Sequence, residues 1–211
     1  MPHVVLLGDS VFDNASYVRG GPDVVAQLRA HLPPGWSATN CAVDGATASG
    51  VSGQLRRVPA DSTHLALSVG GNDALRLSPL LHQLHRPFGA AAHDLVAARK
   101  RFWSDYRAAL DALATRGLPT IVCTVYDAVP GLTEVGAALL STFNDVITRE
   151  AAARGLPVID LRLLCADEAD YSDVSPIEPS IRGGDKIAAA IARLVTGGHD
   201  FGGGRCVVYV G

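Results

Sequence analysis

Short apolar runs alternate along this chain with longer stretches whose apolar residues recur at helical spacing, the signature of repeated βα units around a parallel sheet. Residues 3–8 form the first run, and residues 23–32 then place Val24, Val25, Leu28 and Leu32 on one helical face, closed by Pro33, Pro34 and Gly35. Residues 36–43, 64–69 and 120–125 read as further strands, each ending near Gly, Asp or Asn, and residues 156–161 as a shorter fifth. Between them, Leu95, Phe102, Tyr106, Leu110 and Leu113 share one helical stripe, and Val135, Leu139, Phe143, Val146 and Ile147 another. Ile187, Ile191, Leu194 and Val195 mark a last helix, which Gly197 and Gly198 terminate. The pattern predicts an α/β protein with a central parallel sheet of about five strands.

Beyond a glycine-rich joint at 202–204, residues 205–210 read as one more strand. It either extends the sheet edge, the favoured expectation, or pairs with a second copy to give a homodimer. Residues 76–92 are weakly patterned and read as a flap over a site. Neither an internal repeat nor a linker interrupts the chain, so residues 1–211 are expected to form one domain.

Composition narrows the partners. With 48% hydrophobic and 18% charged residues the chain is too apolar to stay disordered. Eighteen Lys+Arg against 21 Asp+Glu leave a net charge of −3, so no basic field draws nucleic acid or anionic lipid. Apolar runs stop far short of the roughly 18 residues a membrane span needs, and no basic leader opens the chain, which points to a cytoplasmic protein. Cys41, Cys123, Cys165 and Cys206 are widely spaced and read as ordinary buried thiols.

In an open parallel sheet the functional loops lie at the carboxyl ends of the strands, and three distinctive clusters fall there. Gly8-Asp9-Ser10 follows the first strand, Asp44-Gly45-Ala46-Thr47 the second, and Gly70-Gly71-Asn72-Asp73 the third. Ser10 is placed where a nucleophile belongs. The Ser10 and Gly45 N–H groups and the Asn72 amide offer three donors to a developing oxyanion.

At these blocks the sequence resembles the SGNH, or GDSL, hydrolases, a family of serine esterases, lipases, thioesterases and carbohydrate deacetylases. The resemblance implies a three-layer α/β/α, flavodoxin-like fold. It also implies Ser10 as nucleophile, an oxyanion hole from Ser10, Gly45 and Asn72, no cofactor, and a small-molecule ester, thioester or acetylated substrate. The last block departs from the pattern. Where the family carries Asp, two residues and His, this chain has Ser175-Pro176-Ile177-Glu178, followed by Pro179, Ser180 and Gly183 in register. Glu178 stands for the base and Ser175 for its acid partner. A carboxylate near its ordinary value of about 4.3 is a poor match for a serine proton, but burial beside Ser10 would raise it toward about 6 or 7.

Each candidate also has a plain structural reading. Ser10 caps turns readily, Gly45 suits a turn, and Asn72 and Asp73 bond their own loop. Asp9 ties the nucleophile loop more readily than it reacts. Arg182, four residues after Glu178, makes an i to i+4 ion pair if a helix starts early. Phe12, Asp13 and Asn14 shape the pocket rather than react, and Asp127 reads as an exposed loop acid. His82 and His85 lie in the flap, so His85 is a substitute base to test, whereas His64 begins a strand at the opposite end. A metal site at His82, His85 and His93 lacks a recognisable ligand set. The rival functions are a catalytically silent protein that binds an acyl or carboxylate ligand on the same fold, and a phosphate-binding domain, against which stands the missing Lys in the first loop.

Overall fold

The structure is a computed structural model, and it describes residues 1–81, 87–197 and 207–210. In chain order the main elements are β1 (His3–Gly8), α1 (Val24–His31), β2 (Ser37–Asn40), α2 (Val51–Gln54), β3 (His64–Ser68), α3 (Gly71–Leu75), α4 (Ser78–Leu81) and α5 (Phe88–Ala114). β4 (Thr120–Cys123), α6 (Glu134–Arg154), β5 (Val158–Ile159), α7 (Leu161–Leu164), α8 (Ile181–Thr196) and β6 (Val208–Tyr209) follow.

The strands form one six-stranded sheet in the order β2-β1-β3-β4-β5-β6, with every pair parallel. This is the flavodoxin-like order, whose ligand crevice lies where the chain reverses direction between β1 and β3. Side-chain alternation in β1 divides the core. Val4 and Leu6 meet Val24 and Leu28 of α1 and Ile187, Ile191 and Leu194 of α8. Val5 and Leu7 face the other way, toward Phe102, Tyr106 and Leu110 of α5 and Phe143 and Ile147 of α6. The three-layer α/β/α expectation therefore holds, and β6 takes the edge position beside β5.

Several elements are shorter than their patterns, and polar side chains explain where they stop. Asp23 caps α1 by accepting from the Ala26 N–H at 2.8 Å. β2 ends at Asn40, whose Oδ1 accepts from the Ala42 N–H at 2.9 Å. β4 ends at Cys123, because Asn144 takes both backbone groups of Val125, at 2.8 and 2.7 Å. Asp160 caps α7 and so cuts β5 to two residues. The described part of the segment read as a flap carries all of α4 and the start of α5. Residues 82–86, 198–206 and 211, with His82, His85, the glycine joint at 202–204 and Cys206, lie outside the described residues. Cys41, Cys123 and Cys165 are buried free thiols. Among the described residues no helix is long and apolar enough to cross a membrane.

Candidate active site

β1 delivers its last residue, Gly8, into a place no other residue fits. Its φ is 127° and a Cβ would lie 1.7 Å from the Ser68 carbonyl oxygen of the neighbouring strand. Gln54 of α2 holds both of its backbone groups, accepting from the N–H at 2.8 Å and donating to the carbonyl at 2.7 Å. The chain then turns. The Asp9 N–H donates to the Ser68 carbonyl at 3.0 Å, and the Asp9 carboxylate accepts from the Val11 N–H at 3.2 Å. Ser10 is thereby fixed at the crevice between β1 and β3, buried but lining a cavity.

The β2 and β3 loops are tied to each other. Gly45 turns at a φ of 74°, and the next carbonyl, Ala46, accepts from Asn72 Nδ2 at 3.0 Å. Asp73 accepts from the Ala48 N–H at 3.0 Å. One proton of the Asn72 amide is thus committed to orienting it, and Asn72 lines the same cavity as Ser10. Neither the Ser10 nor the Gly45 N–H makes a hydrogen bond to another described residue.

Glu178 reaches the cavity from the segment before α8. Three successive carbonyls hold its backbone: Ile177 accepts from Tyr126 Oη at 2.7 Å, Glu178 from the Ser172 N–H at 2.8 Å, and Pro179 from Asn14 Nδ2 at 3.3 Å. Ser175 contributes its carbonyl, which accepts from the Glu178 N–H at 3.0 Å. The alternative reading of Glu178, an ion pair with Arg182, finds no such contact among the described residues. Ser180 caps α8 by accepting from the Gly183 N–H at 3.2 Å, so Glu178 stands outside the helix, and Arg182 turns to Asp167 and Asp170.

The Glu178 side chain is buried and its Oε2 has no hydrogen-bond partner among the described residues. Burial pushes its carboxyl up to about 7, partly offset by the nearby Ser10 hydroxyl and reinforced by the charge of Asp44. Burial also raises Asp9, to about 8, with the charges of Glu178 and Asp73 adding to the effect. Asp9 is therefore the protonated neighbour of a group poised near neutrality.

Asp9, Ser10, Asn72 and Glu178 all line one cavity of about 130 Å³. Gly45 is outside that lining, one peptide from the carbonyl that orients Asn72. The described histidines lie elsewhere: His3 and His64 at the amino ends of β1 and β3, His31 against Asp185, and His93 exposed on α5. Among the described residues no group of three side chains is arranged to hold a metal. Asp13 serves structure, accepting from the Asp44 N–H at 2.9 Å. Sequence reading passed over Tyr126 and Gln54. For Tyr126 a signal existed, since it follows β4 at the carboxyl end of the sheet, the position already used to find Ser10 and Asn72.

The sequence profile of the GDSL-like lipase/acylhydrolase family matches residues 6–183, so the chain belongs to that family. Known structures share the fold. An extracellular lipase from Streptomyces rimosus is 20% identical with a TM-score of 0.65, over 94% of this chain and 100% of that one. The lipase Lip_vut3 from a goat rumen metagenome is 19% identical with a TM-score of 0.72, over 94% and 98%. An acetyl xylan esterase variant from Geobacillus stearothermophilus is 17% identical with a TM-score of 0.64, over 90% and 93%. No curated protein matches the chain at a significant level. Membership of that family supports an ester hydrolase.

Proposed function

We propose that the chain is a serine ester hydrolase that works through an acyl-enzyme on Ser10, with Glu178 as general base in place of histidine. The observation that carries this reading is the buried Glu178 carboxyl, with an unpartnered oxygen, beside Ser10 and titrating at about 7. A base works best when its pKa lies near the operating pH, and this one does.

In the proposed reaction Ser10 Oγ attacks the ester carbonyl as its proton passes to Glu178. The carbonyl oxygen becomes an oxyanion facing the Ser10 and Gly45 N–H groups and the free proton of the Asn72 amide. Collapse breaks the bond to the alcohol oxygen, which leaves with the proton held by Glu178. Water then gives a proton to Glu178 and attacks the acyl carbon, and the second collapse returns that proton to Ser10 and releases the carboxylic acid. The Ser175 side chain makes no hydrogen bond to the Glu178 carboxylate among the described residues, so the proposed device has two members rather than three.

A fluorophosphonate tests the nucleophile directly. Mass spectrometry is expected to find the adduct on Ser10 in the parent and none in Ser10→Ala, which also loses ester turnover. A parent that takes no label and turns over no ester, while still binding an acyl ligand, would establish the silent binding protein instead.

A further inference from the structure

Most of the cavity that Ser10, Asn72 and Glu178 line is apolar: Leu77 after α3, Val125 and Val129 after β4, and Leu132, Leu139 and Phe143 before and along α6 line it too, with few further polar groups, among them the hydroxyls of Ser68, Ser78 and Tyr126. Among the described residues that line it there is no Lys, Arg or His. An anionic substrate would meet the Glu178 carboxylate with no cation among the described lining residues to receive it, and a polar one would leave most of its hydroxyls facing leucine and valine. The size sets a length. An apolar cavity of about 150 Å³ takes up benzene, so the 130 Å³ here has room for about six carbon atoms.

We infer that this cavity is an acyl pocket, and that the enzyme prefers neutral esters of medium-length acids of about six carbons over acetyl esters. The inference rests on the acyl-enzyme reading of Ser10 and specifies its substrate class. The acyl chain takes the pocket because the attacked carbonyl carbon lies at Ser10, which lines that cavity. Each methylene that enters contributes about fourfold to kcat/KM, from the transfer energy of one buried CH₂. Four methylenes separate acetyl from hexanoyl, which gives about 10²-fold.

The test is a series of p-nitrophenyl esters from acetate to laurate, with ethyl hexanoate compared against hexyl acetate. Expected are a rise of about 10²-fold in kcat/KM from acetate to hexanoate, no further gain at laurate, and a preference for ethyl hexanoate. Leu139→Trp and Val129→Phe, checked for folding by circular dichroism, are expected to lower the hexanoate-to-acetate ratio by about tenfold or more. A flat series, an acetate optimum, or a preference for hexyl acetate would overturn the acyl pocket while leaving a Ser10-dependent hydrolase in place. Calorimetry on Ser10→Ala with methyl hexanoate and methyl acetate reads the pocket without turnover. Tighter binding of the hexanoate is expected, and equal binding of the two refutes the pocket whatever the chemistry of Ser10.

Discussion

The sharpest consequence of the proposed mechanism is a pH dependence set by Glu178. Only the ionised carboxylate can take the Ser10 proton, so turnover should follow its charged fraction. With the group at about 7, that fraction is about 0.1 at pH 6 and about 0.9 at pH 8, a rise of about tenfold in kcat/KM across the interval. A surface Glu at its ordinary value would already be charged at pH 6 and give a flat profile. Glu178→Gln keeps the shape of the side chain and removes the proton acceptor. It should lower kcat/KM at pH 8 by about 10² to 10⁴ and abolish the rising limb, leaving the residual rate that oxyanion donors alone provide. The assay is initial-rate hydrolysis of a p-nitrophenyl ester in overlapping buffers, followed by pH-stat so that the product's own titration does not intrude. A limb near 6.5 that survives in Glu178→Gln would refute the argument and assign the base to a histidine, with His85 the first to replace.

Asn72→Ala should lower kcat by about 10² to 10³ with little change in KM, since the free amide proton serves an oxyanion that exists only in the transition state; a change confined to KM would contradict this. Tyr126→Phe removes the donor that holds the Ile177 carbonyl and should cost about 1 kcal/mol of stability. It should also lower kcat more than it raises KM, and a variant with unchanged kcat would show that Tyr126 supports the fold alone. Asp9→Asn reads the other raised carboxyl. The native state keeps the Asp9 proton to about 8, while the unfolded chain loses it near 4, so parent stability falls across that window and the amide variant does not share the loss. Melting temperatures at pH 5 and pH 8 should therefore favour Asp9→Asn increasingly as pH rises, and a difference that does not change with pH would count against a buried neutral Asp9.

The fold was legible because its signals are periodic. Val4, Val5, Leu6 and Leu7 announce a strand covered on both faces, and the stripes on α5, α6 and α8 supply the covers. The loops were legible because strand ends are where chemistry collects, and Gly8, Gly45 and Gly70 mark left-handed turns that side chains resist. What escaped has no period. Gln54 finds Gly8 across 46 positions and Tyr126 finds Ile177 across 51, long-range bonds that no local pattern announces. The Glu178–Arg182 spacing has meaning only inside a helix, and the Ser180 cap starts that helix at Ile181, past Glu178. In the expected flap, Ser78-Pro79 is a helix-start signal that the surrounding lack of pattern masked.

The grip on residues 177–179 reaches past the present chemistry. With three adjacent peptide oxygens taken by Tyr126, Ser172 and Asn14, the backbone there behaves as a socket whose position owes nothing to the side chain it presents. All three bonds end on backbone oxygens, so an exchange of the head group removes none of their atoms. Carboxylate, imidazole or amide can then be plugged into one fixed mount, and any change in rate reports proton affinity and reach rather than a relocated loop. Such a mount would make the proposed base the most replaceable part of the site, and it offers a physical route by which a lineage trades one proton acceptor for another without dismantling its fold.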